Sequence, residues 1–166
     1  MKFLLHGITF AILVTGCSSQ SAFGRFNMNK QQELSVSSSQ TSKIQSQETT
    51  KGLFYATYLN DVDTDNFDDN EYFYIALYLK DTISMDEVSF DKMIETSLQL
   101  NTQSPIEIKR LPSHNQFSSL THVKNEWNKY YLVTFKKENE SVKKLYLVFK
   151  QDKLFSEVLI YQRKRK

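Results

Sequence analysis

Beyond residue 52 the chain alternates aromatic or aliphatic side chains with polar ones at the two-residue period of a β-strand. Residues 53–59, LFYATYL, are β-branched and aromatic enough for a strand, and the Asn/Asp cluster that follows ends it. Residues 71–80, EYFYIALYLK, form the strongest such segment. Phe73, Ile75, Leu77 and Leu79 share one face, and Tyr72, Tyr74, Ala76 and Tyr78 the other. Neither face is plainly wet, which predicts a central strand covered on both sides or one with an aromatic outer face.

The period then lengthens. Ser84 with Glu87 three residues on makes a capping box, and Asp86 and Glu87 place negative charge in the first turn. Met85, Val88, Phe90, Met93, Ile94 and Leu98 follow at helical spacing, with Ser89 a possible cap of a second helix. Ile106 and Ile108 after Pro105 predict a short edge strand. Residues 112–128 carry no firm period, though Phe117, Leu120 and Val123 could support a strand. KYYLVTFK, VKKLYLVFK and LFSEVLIYQ read as three strands joined by turns at 137–141 and 151–153, an antiparallel meander. Six or seven strands and one helix predict a mainly β fold, an antiparallel β-sandwich with a short helical insertion after the second strand.

The first 51 residues have a different character. Lys2 is followed by an apolar stretch, residues 3–14, too short to span a bilayer and ending in Leu13-Val14-Thr15-Gly16-Cys17. This run resembles the lipobox of bacterial lipoproteins. The resemblance implies a signal peptide over residues 1–16, cleavage before Cys17, and palmitate-type acylation of Cys17, the one cysteine in the chain. Several acyl chains at about 0.8 kcal/mol per buried methylene anchor a protein stably. Ser18, not aspartate, follows the cysteine, which in that family implies the outer membrane with the domain in the periplasm. No internal disulfide is possible once Cys17 is lipidated, so the domain rests on its core alone.

Residues 18–51 are Ser, Gln, Thr and Asn with few large apolar side chains. Such a composition predicts a disordered tether over residues 17–51, spanning roughly 30 Å as a coil and about 100 Å when stretched. The folded domain is then expected over residues 52–166, with a basic C-terminal tail.

Charge adds one further contrast. Without Lys2 the chain holds 20 bases and 19 acids, which gives no case for nucleic-acid binding. Residues 52–99 nevertheless carry eleven acids against two bases, and residues 100–166 six acids against fourteen bases. The tail, Arg163-Lys164-Arg165-Lys166, reads either as a solvated end or as a contact for an acidic partner or anionic headgroups.

The acidic stretch 60–71 is the candidate site. Asp61, Asp63 and Asp65 have the one-three-five spacing of a calcium loop, and Asn66 suits the position usually held by glycine. The twelfth position is Tyr72 in place of a bidentate carboxylate, and strands flank the loop, so no metal is expected. A solvated turn is one alternative. The other is a partner-binding loop formed by Asn60, Asp61, Asp63, Asp65, Phe67, Asp68 and Asp69, with Phe67 an apolar anchor in an acidic rim and little bearing on folding. His114 and His122 lack nearby acid or cysteine ligands for zinc. No nucleophile context or phosphate-cradling glycine loop is present, so neither an enzyme nor a cofactor is expected.

One stretch resembles a second family. Tyr58-Leu59-Asn60, the loop, then residues 75–81 (IALYLKD), Met85 and residues 89–93 (SFDKM) resemble the outer-membrane lipoproteins of type VI secretion systems. The order of parts, the lipobox and the length agree, whereas Glu71-Tyr72-Phe73 replaces a small or proline-containing strand entry. The resemblance implies a transthyretin-like sandwich. It also implies that loop 60–70 grips an inner-membrane secretion-complex protein with a large periplasmic domain. A free lipoprotein binding a ligand or calcium through residues 60–71 is the alternative.

Overall fold

The computed structural model describes residues 29–80, 86–120 and 125–163. Its elements begin with helix α1 (Lys30–Ser37), strand β1 (Ser39–Ser46), strand β2 (Thr49–Tyr58) and a helical turn at Leu59–Asp61. Strand β3 (Glu71–Leu79), helix α2 (Glu87–Ser97), β4 (Leu98–Leu100) and β5 (Glu107–Leu111) follow. The chain ends with β6 (Lys129–Phe135), β7 (Lys144–Gln151), β8 (Leu154–Ser156) and β9 (Leu159–Gln162). The fold is mainly β, a curled antiparallel sheet in the order β4-β7-β8-β1-β2-β3-β6-β5, with β9 on β7.

The two strongest segments of the sequence form its middle. β3 lies between β2 and β6, and both its faces are buried. Phe73, Ile75 and Leu77 point into the main core with Phe54, Ala56 and Val133. The sheet curls so that Leu145, Leu147 and Phe149 of β7 and Leu159 and Tyr161 of β9 close over them, while Phe90 and Ile94 of α2 complete the same core. Each such side chain contributes about 1.5–3 kcal/mol relative to staying in water. The other face of β3 builds a second, smaller cluster, in which Tyr74 and Ala76 pack with Leu59, Phe117 and Tyr130. Loops and α1 cover that cluster: Ser35 Oγ donates to the Leu120 carbonyl at 2.5 Å, and Gln32 Nε2 to that of Ser119 at 3.3 Å.

The boundary at residue 52 is too late. Lys30–Ser37 is helical, and β1 is paired along its length with β2 and at Ile44 and Gln45 with β8. Composition misleads here because β1 needs few apolar side chains. Ile44 alone enters the core, fully buried, while polar side chains complete the packing. Ser39 bonds Thr57 and Tyr55, Ser42 Oγ accepts the Glu157 N–H at 2.9 Å, and the Gln40 amide takes both the N–H and the C=O of Ile160. A carboxamide thus stands in for a missing strand partner of β9. Residues 17–28, including Cys17, and the signal segment lie outside the described residues. Eleven residues lie between Cys17 and Asn29, a reach of at most about 40 Å and far less than the expected tether.

Gly52 sits inside β2, opposite the irregularity in β1 between Ile44 and Gln45. A Cβ there would lie 2.1 Å from the Tyr78 carbonyl oxygen, so only glycine lets the two strands approach.

Four other expectations change. Only the second half of the expected meander forms: β7 turns at 151–153 and pairs antiparallel with β8 and β9, whereas β6 pairs with β3 and β5. Residues 136–143 are longer than a hairpin loop and cross from one layer to the other. The last strand is broken at Glu157–Val158, where one extra residue shifts the register against β7. Among the described residues a single helix follows β3, capped by Asp86, whose carboxylate accepts the Ser89 N–H at 3.0 Å and is held below its ordinary pKa by that bonding. Ser84 and Met85 lie outside the described residues, and Val88 is exposed. Phe117 and Leu120 lie in turns over the second cluster, not in a strand; Val123 is outside the description.

Candidate functional site

The acidic loop leaves the sheet between β2 and β3 and is closed at its neck by one side chain. Asn60 Nδ2 donates to the Asn70 carbonyl at 2.6 Å, and Asn60 Oδ1 accepts the Tyr72 N–H at 2.8 Å. Within the loop, Asp63 accepts from the Asn66 side chain at 2.8 Å and its backbone N–H at 3.3 Å. The Phe67 N–H donates to the Asp63 carbonyl at 3.1 Å. Asp69 accepts the Tyr72 hydroxyl at 2.7 Å, and that bond raises the Tyr72 pKa above its ordinary value. Asp63 and Asp69 therefore shape the loop. Among the described residues no three metal-ligating side chains converge, so the one-three-five spacing of Asp61, Asp63 and Asp65 does not fold into a cage.

Phe67 is not the free anchor that the sequence suggested. Its ring lies 5.0 Å from that of Tyr72 and 6.1 Å from that of Phe117, half-buried on the second cluster. The loop is thus fastened to its own domain by an aromatic contact, and its folding role is larger than expected. Thr64, Asp65, Asp68 and Asp69 face solvent on this fixed base.

Beneath the loop lies a group of residues whose partnership the sequence reading missed. Glu71 is 1 % exposed. Its Oε2 accepts the Tyr58 hydroxyl, and its Oε1 takes the Glu138 N–H at 3.1 Å and the Arg163 guanidinium at 3.3 Å. Arg163 also donates to the carbonyls of Asn139 at 2.8 Å and Val142 at 3.3 Å. Burial, then the bond to Glu71, pushes the Tyr58 phenol far above its ordinary range. The first residue of the expected basic tail is therefore internal, and residues 164–166 lie outside the description. Parity was the available signal: Glu71 shares the inward face with Phe73 and Ile75, and Arg163 continues that of Leu159 and Tyr161. An inward charge at each strand end calls for a partner.

Tyr58, Val142 and Arg163 of this group also line a cleft of about 450 Å³. Asp61, Thr64 and Asp68 of the loop make one wall; Lys137, Glu140 and Lys143 of the 136–143 connection make the other. Tyr58, Asn60, Phe67, Val142 and Arg163 complete its lining. Lys137 Nζ reaches across to the Asp68 carbonyl, and Lys143 Nζ bonds the Glu140 carbonyl at 2.9 Å. His114 is exposed beside Ser113, and His122 is outside the description. No family model matches the chain, and no curated protein or solved structure matches it.

Proposed function

We propose that this chain is a lipid-anchored assembly protein of the bacterial outer membrane. It docks the periplasmic part of an inner-membrane protein through loop 60–70, and the sequence resemblance makes a type VI secretion membrane complex its setting. The observation that carries the docking role is the loop's construction. Asn60, Asp63, Phe67 and Asp69 spend their side chains on holding one shape, and the outward carboxylates of Asp65 and Asp68 stand on that shape. A surface ordered before contact loses less conformational freedom on binding, and fixed negative charge steers a basic partner.

Isolation of the tagged full chain from chemically cross-linked envelopes tests this reading. An inner-membrane protein with a large periplasmic domain should co-purify with the native chain, and its recovery should fall at least tenfold with Asp65→Lys and Asp68→Lys combined. Equal recovery from both would remove the loop from the reading. A mature chain whose mass shows no acylation at Cys17 would remove the anchor.

A further inference from the structure

The layer that closes over the inner face of β3 has an outer face of its own, and it is both apolar and basic. Along β7 the buried Leu145, Leu147 and Phe149 alternate with Lys144, Tyr146, Val148 and Lys150, which point outward. Ile160 of β9 lies across from Tyr146, and Phe155 of β8 lies across from Lys150 on one side and Gln45 of β1 on the other. Val158 stands at the break between β8 and β9, and Lys43 is exposed on β1. Tyr146, Phe155, Val158 and Ile160 are each 43–48 % exposed. They make up half of the eight large apolar side chains exposed among the described residues, so the apolar surface is gathered here, as at sites of interaction. Lys43, Lys144 and Lys150 have no side-chain hydrogen bond or ion pair among the described residues. No acid lies on β1, β7, β8 or β9; Glu157 at the break and Glu48 and Asp152 in the turns after β1 and β7 border the face.

We infer that this face rests on the anionic phospholipid headgroups of the membrane in which the chain is anchored. Charge selects the occupant: unpaired bases with no acid among them complement an anionic surface, whereas a second copy seated on the same patch would set lysine against lysine. Reach points the same way. The eleven residues between Cys17 and Asn29 extend at most about 40 Å, roughly the width of a domain of this size, so an acylated chain holds its domain against the bilayer. Tyr146, Phe155, Val158 and Ile160 then enter the headgroup layer, while the lysine stems lie along them and keep their ammonium groups level with the phosphates. The outward carboxylate of Asp65 is repelled by the same phosphates, which leaves loop 60–70 turned to a docked protein. This inference rests on the acyl anchor of the reading above and adds the orientation in which the anchor holds the domain.

A photo-reactive amino acid placed at Ile160 of the full chain, in cells that make it natively, tests this, with the same group at Asp65 for comparison. Mass spectrometry of the adducts identifies what each position touches, and the same digest reads the acyl mass at Cys17. The expected result is an anionic-phospholipid adduct from Ile160, well above that from Asp65 and reduced about tenfold by Lys144→Glu and Lys150→Glu combined. Both lysines are exposed, and an unchanged melting profile guards against loss of folding. Adducts on a second copy or on another protein, no adduct, equal lipid adducts from the two positions, or indifference to the lysine substitutions overturns the inference. With Cys17 acylated, any of those results leaves the anchor standing. A lipid adduct from Ile160 on a chain without acylation removes the anchor and keeps the face; the absence of both overturns both.

Discussion

The two faces of β3 are equally buried but are covered in different ways. On the inner face Phe73, Ile75 and Leu77 meet regular strands and a helix, whose side chains repeat at fixed periods. On the outer face Tyr74 and Ala76 meet Phe67, Phe117 and Leu120, which arrive on loops, with α1 laid beside them. The inner face makes the domain stable. The outer face uses its apolar surface to fix a loop, and so turns an acidic connection into a platform.

Substitutions on the two faces should therefore differ in size and in kind. Phe73→Ala, in the inner core, should cost about 3–5 kcal/mol in chemical denaturation and unfold the domain as a whole. Arg163→Ala leaves the Glu71 carboxylate buried without its cation, and a loss of about 3 kcal/mol is expected, well beyond that of an exposed pair. A cost under 1 kcal/mol would mean that Glu71 reaches water. Tyr58 and Tyr161 join the same region: burial raises both phenols above the ordinary 10.0. Their contribution is complete below about pH 10 and is lost as pH rises further, because the unfolded chain ionises first. Thermal melts across that range should show a falling midpoint, shallower in Tyr161→Phe.

Phe67→Ala belongs to the outer face. About 1–2 kcal/mol is expected for a half-buried ring, together with loss of order confined to the loop, visible as resonance broadening over residues 61–70. Partner recovery should fall with it even though Phe67 lies against its own domain. The smallest effect concerns neither face. Gln47 and Glu48 both have positive φ, 47° and 69°, in the two-residue turn between β1 and β2. Glu48→Gly should stabilise the domain by up to about 1 kcal/mol, since the left-handed backbone suits glycine.

The same contrast explains what the sequence disclosed. Residues 53–59 and 71–80 show their strands because alternation toward a regular layer leaves a periodic trace, and α2 shows its buried stripe at Phe90 and Ile94. β1 leaves almost none: Ile44 is its one core side chain, and the hydrogen bonds that Ser39, Gln40 and Ser42 take part in depend on neighbours distant in sequence. The layer over the outer face has no period at all, so Phe67 read as an exposed anchor and Phe117 as part of a strand. The acidic loop was legible as a candidate site by composition. Its cleft was not, because Lys137, Lys143 and Arg163 come from a connection and a strand end more than 65 residues away.

Amide hydrogen exchange on the full chain without partner tests most directly whether loop 60–70 is a fixed platform. The N–H groups of Asp63, Phe67 and Tyr72 bond to Leu59, Asp63 and Asn60 respectively, and should exchange at least tenfold more slowly than the unfolded chain, with Phe67→Ala abolishing protection at Asp63 and Phe67. Exchange at the unfolded rate throughout 61–70 in the native chain, beside slow exchange in β3, would contradict the account.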